Sequence, residues 1–138
     1  MRKRGYAQLR DRKKYNMKIL NLKETENKDV SKEPLFTGGK VQTQFILEEE
    51  IKSEKLQIVN VKFAPGARNK FHTHTKPQIL FVTEGKGIVA TRDKEYKIEP
   101  GTAIIIPAGE AHWHGAEKGS SFAHLSIIGQ PQEMKIVE

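Results

Sequence analysis

The sequence predicts an all-β fold, a small barrel or sandwich, from three observations. Short segments rich in Val, Ile, Phe and Thr recur between Val41 and Ile128, many of them alternating apolar and polar residues with period two. Glycine and proline punctuate these segments, as at Pro65-Gly66, Gly85-Lys86-Gly87, Pro100-Gly101 and Pro107-Ala108-Gly109. Only Glu48–Lys55 has a composition that favours helix, and its charge density reads as a loop or a single turn. Strands about 8–12 residues apart with tight turns between them are the pattern of sandwiches and barrels.

In chain order, the first segment is a basic leader. Of the net charge of +7, all arises in residues 1–18, where eight Lys and Arg side chains face Asp11 alone. The remainder holds equal numbers of acidic and basic side chains. Such a block reads as a solvated tail, or as a start placed too early with Met17 as the initiator, rather than as a nucleic-acid site. No apolar stretch follows it, as a secretory signal requires. The longest apolar runs, such as Ile79–Val82 and Ala103–Ile106, are far shorter than the ~20 residues of a membrane helix. The expectation is a cytoplasmic protein with no membrane partner and no specific nucleic-acid partner. A chain of 138 residues holds one core. With no cysteine, it has no disulfide framework, thiolate metal site or cysteine nucleophile.

Residues 19–40 are polar, contain Pro34 and Gly38-Gly39, and read as an irregular lead-in. Residues 41–138 form the domain. Strands are expected at Val41–Leu47, Leu56–Ala64, Ile79–Thr83, Gly87–Thr91, Glu95–Ile98, Ala103–Ile106 and Ser121–Ile128, with a hairpin tip at Arg92-Asp93-Lys94. Within Leu56–Ala64 the alternation sets Gln57, Val59, Val61 and Phe63 on the more apolar face. Val59 and Val61 should therefore line the barrel interior.

All five histidines fall between positions 72 and 124. His72 and His74 sit at i and i+2, so on a strand they project side by side, roughly 7 Å apart at the backbone, as two ligands to one ion would. His112 and His114 repeat that spacing. His114 either shares the face of His112 or lies outside at the strand end. His124 sits in Ser121–Ile128, where Phe122, His124, Ser126 and Ile128 share a face. A histidine facing inward beside Ile128 is costly to charge, so its pKa falls toward working pH. That suits a general base; the other reading is a neutral histidine hydrogen-bonded at the barrel wall.

The text around these histidines resembles a known family. Gly66, five residues, His72-Thr-His74, three residues, Gln78, six residues and Gly85 follow the first cupin motif; Gly101, five residues, Pro107-Ala-Gly109, two residues and His112 follow the second. The family's usual glutamate is Gln78 here, and its closing asparagine is Ala116. The resemblance covers about residues 41–130 and implies a small jelly-roll barrel with one metal in its mouth. Cupins often dimerise, so a homodimer is expected.

More narrowly, His-x-His-x3-Gln, His112-Trp-His114-Gly and a further histidine twelve residues after the third ligand look like small cupins related to carboxymuconolactone decarboxylase, and like the bacterial cupin-type hydroxynitrile lyases. That resemblance implies one divalent transition metal, manganese first, with iron, nickel or zinc as alternatives, held by His72, His74, His112 and Gln78. It gives His124 the part of the base and places Val59, Val61 and Ile128 in the substrate pocket. Asn69 and Phe71 stand at pocket positions where the family carries another polar residue and often tryptophan. With a neutral carboxamide replacing the carboxylate, the ion keeps its full charge, so it is a stronger Lewis acid held less tightly.

Together these readings give a metal-dependent enzyme acting on a small hydroxyl- or carbonyl-bearing substrate, with lyase chemistry of the hydroxynitrile type, and with His124 and His114 handling protons. An iron-dependent dioxygenase and a non-catalytic ligand-binding cupin are the alternatives.

Overall fold

Extended backbone must spend its amides on neighbouring strands, and in this protein the named strand pairings are all antiparallel. The computed structural model describes residues 17–51 and 54–138, so the leader lies outside the described residues except for Met17 and Lys18. The strands are β1 (Lys28–Asp29), β2 (Phe36–Thr37), β3 (Val41–Ile51), β4 (Glu54–Phe63), β5 (Arg68–Asn69), β6 (His72–His74), β7 (Gln78–Gly85), β8 (Gly87–Ala90), β9 (Glu95–Ile98), β10 (Ala103–Ile106), β11 (Trp113–Ala116), β12 (Phe122–Gln130) and β13 (Met134–Ile136).

They form a six-stranded sheet in the order β1-β3-β4-β12-β7-β10, a five-stranded sheet in the order β2-β5-β11-β8-β9, and the pair β13-β6. This is the all-β jelly roll the sequence predicts. Its core lies between the two large sheets: Val41, Val59, Val61, Phe63, Val82 and Phe122 from one meet Val89, Ile98 and Ala116 from the other. Val59 and Val61 face inward as the alternation requires, at 7% and 8% exposure.

Two expectations are corrected. Within Glu48–Lys55, residues 48–51 and 54–55 are strand, and residues 52 and 53 lie outside the described residues. The β3–β4 ladder runs through these strand residues, with Glu50 opposite Lys55 and Ile51 opposite Glu54, because cross-strand pairing outweighs a weak local helix preference. The lead-in is not irregular throughout. It supplies β1 and β2 and covers part of the outer face of β3, where the Gln44 side chain donates to the carbonyls of Leu22 (2.8 Å) and Thr25 (3.0 Å). Asn60 in turn donates to Gln44 at 2.9 Å. Two buried amides are thereby satisfied on a face that would otherwise meet solvent.

The barrel closes at one end on Gly85, which has φ +73°, and a Cβ there would collide with the Ser121 carbonyl oxygen. Gly101 has a similar φ of +92° with nothing near its missing Cβ. Gly85→Ala should therefore cost at least about 3 kcal/mol, combining backbone strain with a clash that only a backbone shift relieves. Gly101→Ala carries the strain alone, about 1 kcal/mol. Urea unfolding of the two variants checks this ranking, and equal losses would contradict it.

Candidate metal centre

The site begins with a backbone pairing. His72, opening β6, and His112, just ahead of β11, exchange both peptide hydrogen bonds, His72 N–H to the His112 carbonyl (3.0 Å) and the reverse (3.1 Å). Residues opposed in this way carry their side chains on one face, and the two rings lie with centroids 4.3 Å apart. His74, two residues along, adds a third ring 5.0 Å from His72 and 5.7 Å from His112. One nitrogen of each ring lies within 4.8 Å of those of the other two. Gln78 arrives from the six-stranded sheet, with its Oε1 3.2 Å from His112 Nε2.

Hydrogen bonds behind the rings fix which nitrogen is bare. His72 Nδ1–H donates to the Lys70 carbonyl (2.6 Å), and His112 Nδ1–H donates to the Glu110 carbonyl (2.8 Å). A carbonyl only accepts, so the proton resides on Nδ1 and Nε2 presents a lone pair. His74 Nδ1 likewise donates to Gln132 Oε1 at 2.9 Å, and its buried Nε2 has no partner. Gln78 spends its NH2 on Ser126 Oγ at 2.8 Å and turns its carbonyl oxygen inward. The contact between Gln78 Oε1 and His112 Nε2 is then two lone pairs facing one another with no proton between them. Such a set is repulsive alone and fits a cation. These residues fit a divalent metal, as the histidine spacing predicts.

Below these rings lies a second pair. His114 and His124 are both buried, with His124 Nε2 3.0 Å from His114 Nδ1. His114 therefore points inward with His112, which settles its orientation. Asn69 holds it from behind: Asn69 Oδ1 accepts from the His114 peptide N–H at 2.8 Å, and Nδ2 lies 3.2 Å from His114 Nε2. Phe63 and Phe122 pack on the His124 ring at centroid distances of 5.6 and 5.5 Å.

All five imidazoles are held toward the neutral form. Burial pushes His72 down to about 3, and the nearby His112 adds to the shift. Burial also lowers His74 and His112, against the opposing hydrogen bonds of Gln132 and of the Glu110 carbonyl. His114 falls well below its ordinary value through burial and then the neighbouring His124. His124 falls to about 4 through burial, opposed by a hydrogen bond with the Leu125 backbone.

The expected pocket residues divide. Val59, Val61 and Ile128 are buried inside the barrel, with Val61 opposite His124 and Ile128 opposite Gln78. Asn69 is buried, but it spends both amide atoms on His114. Phe71 packs its ring beneath the Arg92 guanidinium, 4.5 Å from the ring centroid. Two side chains that hold the site carried no assigned role, Ser126 and Gln132. Ser126 was at least legible as inward-facing by its alternation with His124. Gln132 follows a proline outside any periodic segment and left no signal.

An antiparallel jelly roll with three histidines and a carboxamide converging inside it defines a β-barrel domain whose clustered side chains fit a divalent metal. The family described as Cupin domain matches residues 59–128, and this chain belongs to it. It is 41% identical over 69 residues to an (R)-mandelonitrile lyase from Granulicella tundricola, an alignment covering 49% of this chain and 53% of that protein. The match thus spans about half the length of that curated relative. A cupin-like protein from Thermotoga maritima has a crystal structure that aligns with a TM-score of 0.71 and 33% identity, covering 80% of this chain and 86% of that one. The polyketide cyclase RemF from Streptomyces resistomycificus aligns over 89% of this chain and 87% of its own, with a TM-score of 0.78 at 18% identity, which shows the shared fold alone. No helix among the described residues is long and apolar enough to cross a membrane.

A histidine whose folded pKa lies below its unfolded value binds a proton first in the unfolded chain. Its contribution is therefore complete above pH ~6.5 and is lost as pH falls. For His72 the loss continues toward about 3 and for His124 toward about 4. Each such group lowers stability by up to ~1.4 kcal/mol per pH unit within its window. The urea midpoint of the metal-free chain should fall between pH 7.5 and pH 5. A midpoint that holds or rises over that range would show the imidazoles to be charged or exposed.

Proposed function

We propose that this cupin is a metal-dependent lyase of the hydroxynitrile type, acting on a small molecule that bears a hydroxyl or carbonyl oxygen. The observation that carries this reading is the convergence of four bare acceptor atoms beside a buried, neutral histidine pair. A divalent ion held by His72, His74, His112 and Gln78, with manganese the proposed metal, supplies Lewis-acid stabilisation of a substrate oxygen as it becomes anionic. The likeness to (R)-mandelonitrile lyase supports the cyanohydrin class of substrate.

The chain's own residues do the rest. Val59, Val61 and Ile128 give the interior an apolar wall that excludes water and accepts the substrate's hydrocarbon body. His124 exchanges a proton with the ligand, and its surroundings keep it neutral so that it acts near neutral pH. His114 Nδ1 meets His124 Nε2, and Asn69 holds His114 through its peptide N–H and lies against its ring, so that the ring of His124 is held in place. Lys70 and Glu110, through their carbonyls, and Gln132 and Ser126, through their side chains, aim the four ligand atoms.

Incubating the manganese-loaded chain with mandelonitrile should release benzaldehyde, and chelation should stop the release. His72→Ala should lose the metal and activity together. His124→Ala should keep its metal while losing about 10²–10⁴-fold in rate, the worth of a positioned acid–base group. A loaded chain that binds benzaldehyde but never turns mandelonitrile over is a binding protein, and the proposal then fails.

A further inference from the structure

His72 and His74 ride on a strand that belongs to neither large sheet. β6 lies in a two-stranded sheet with β13, with Ile136 opposite His72, Lys135 opposite Thr73 and Met134 opposite His74. Its other edge meets the barrel at isolated points, the exchange of His72 with His112 and the Gly109 N–H donating to the His74 carbonyl at 2.9 Å. The residues that bracket the His72-Thr73-His74 triplet are clamped by the same last segment. Ahead of it, the Phe71 carbonyl accepts from the Val137 N–H at 2.8 Å, and the Phe71 N–H donates to Glu138 Oε1 at 2.8 Å. Behind it, the Thr75 N–H donates to the Glu133 carbonyl at 3.0 Å, and Thr75 Oγ1 accepts from the Glu133 N–H at 2.8 Å.

Two arginines fasten the Glu138 end. Arg68 Nη2 donates to the same Glu138 Oε1 at 2.6 Å. The Arg68 guanidinium is itself held, by Nε donating to the Asn69 carbonyl at 2.9 Å and by the Trp113 ring, 4.2 Å away at its centroid. Arg92, from the turn between β8 and β9, donates to the Val137 carbonyl at 3.0 Å while it lies over Phe71. The Arg68 and Glu138 side chains are 28% and 41% exposed, and ion pairs so placed add little to global stability. The buried apolar cluster between the large sheets also draws no residue from 70–75 or 131–138. What this fastening governs is therefore local: whether β13 stays seated on β6.

We infer that Glu138 is a positioning residue for the metal ligands: it fastens β13 onto β6 and so keeps His72 and His74 aimed together. This rests on the metal binding of the proposed function and not on its lyase chemistry. When β13 lifts, both flanks of the triplet lose their peptide partners and His74 loses Gln132, so two of the four ligands leave their aim at once. Apparent metal affinity then falls in proportion to the fraction of molecules with the strand seated. The coupling is reciprocal, so a loaded site in turn holds the strand down.

Manganese titration of the full chain, with the free aqueous ion counted by electron paramagnetic resonance, reads the affinity. Glu138→Ala should bind manganese about tenfold more weakly, the lower end of what groups behind metal ligands are worth. Arg92→Ala should weaken binding in the same direction, and Lys135→Ala, at an exposed position of β13, should leave it unchanged. The urea midpoint of metal-free Glu138→Ala should stay with that of the unsubstituted chain. Hydrogen exchange over residues 131–138 should slow when the unsubstituted chain is loaded with manganese, a change that a purely structural role for the strand does not bring. Unchanged affinity in Glu138→Ala would overturn the inference, as would an equal loss in Lys135→Ala, a lowered metal-free midpoint in Glu138→Ala, or exchange indifferent to manganese. Should Glu138→Ala not fold, Arg92→Ala takes its place under the same criteria. A chain that takes up no manganese removes the metal reading and this inference together. A chain that binds as expected but leaves mandelonitrile intact loses only the lyase reading.

Discussion

The organisation of this barrel rests on lone pairs of like polarity being forced to face each other. Three imidazoles and one carboxamide oxygen are turned toward a shared point, and none of them has a proton to offer there. The constraint that turns them is backbone geometry: the peptide pairing of His72 with His112, and the carbonyls of Lys70 and Glu110 that hold each ring's proton on its far side. Elements from two sheets and the β13-β6 pair deliver these groups, so no local motion relaxes the whole set. A divalent cation held by these residues would convert the mutual repulsion into coordination, and the orphaned His74 nitrogen fits such a ligand position better than imperfect packing.

The same logic extends one layer deeper. His114 and His124 lie between this set and the rings of Phe63 and Phe122, where a charge would be severely penalised. Polar groups persist in such a place only when each is matched to its neighbour in donor and acceptor sense. Asn69 supplies the matching, since its amide is anchored by a peptide group at one side and meets His114 at the other.

What could be read from the sequence followed from how simple the local physics was. Segments with one buried and one exposed face announced themselves by alternation, and β9 and β10 begin and end where expected. That His72 and His74 face one way was legible because i, i+2 spacing on an extended chain leaves little choice of face, and the structure adds His112 to their cluster. β11 was missed because all four of its residues are buried, so no alternation exists: Trp113 lies under the Arg68 guanidinium at 4.2 Å while His114 faces the interior. The length of the β3–β4 hairpin was missed because charged residues that favour helix alone are held extended by a partner strand. The contact of Asn69 with His114 spans 45 positions of sequence, which no periodicity encodes.

Gln78 shows why the surroundings of the site matter as much as its ligands. A carboxylate there would offer the cation a charge and would be forgiving of orientation, since either oxygen serves. A carboxamide has one useful oxygen, and the opposite orientation presents hydrogens to the metal. Ser126 therefore acquires a task that a glutamate-bearing site would not require: it accepts the NH2 and so keeps the oxygen inward. Were a divalent ion to bind there with four neutral ligands, the affinity lost with the missing charge would have to come from groups already aimed before the ion arrives. The hydrogen bonds behind His72, His112 and Gln78 supply such aim.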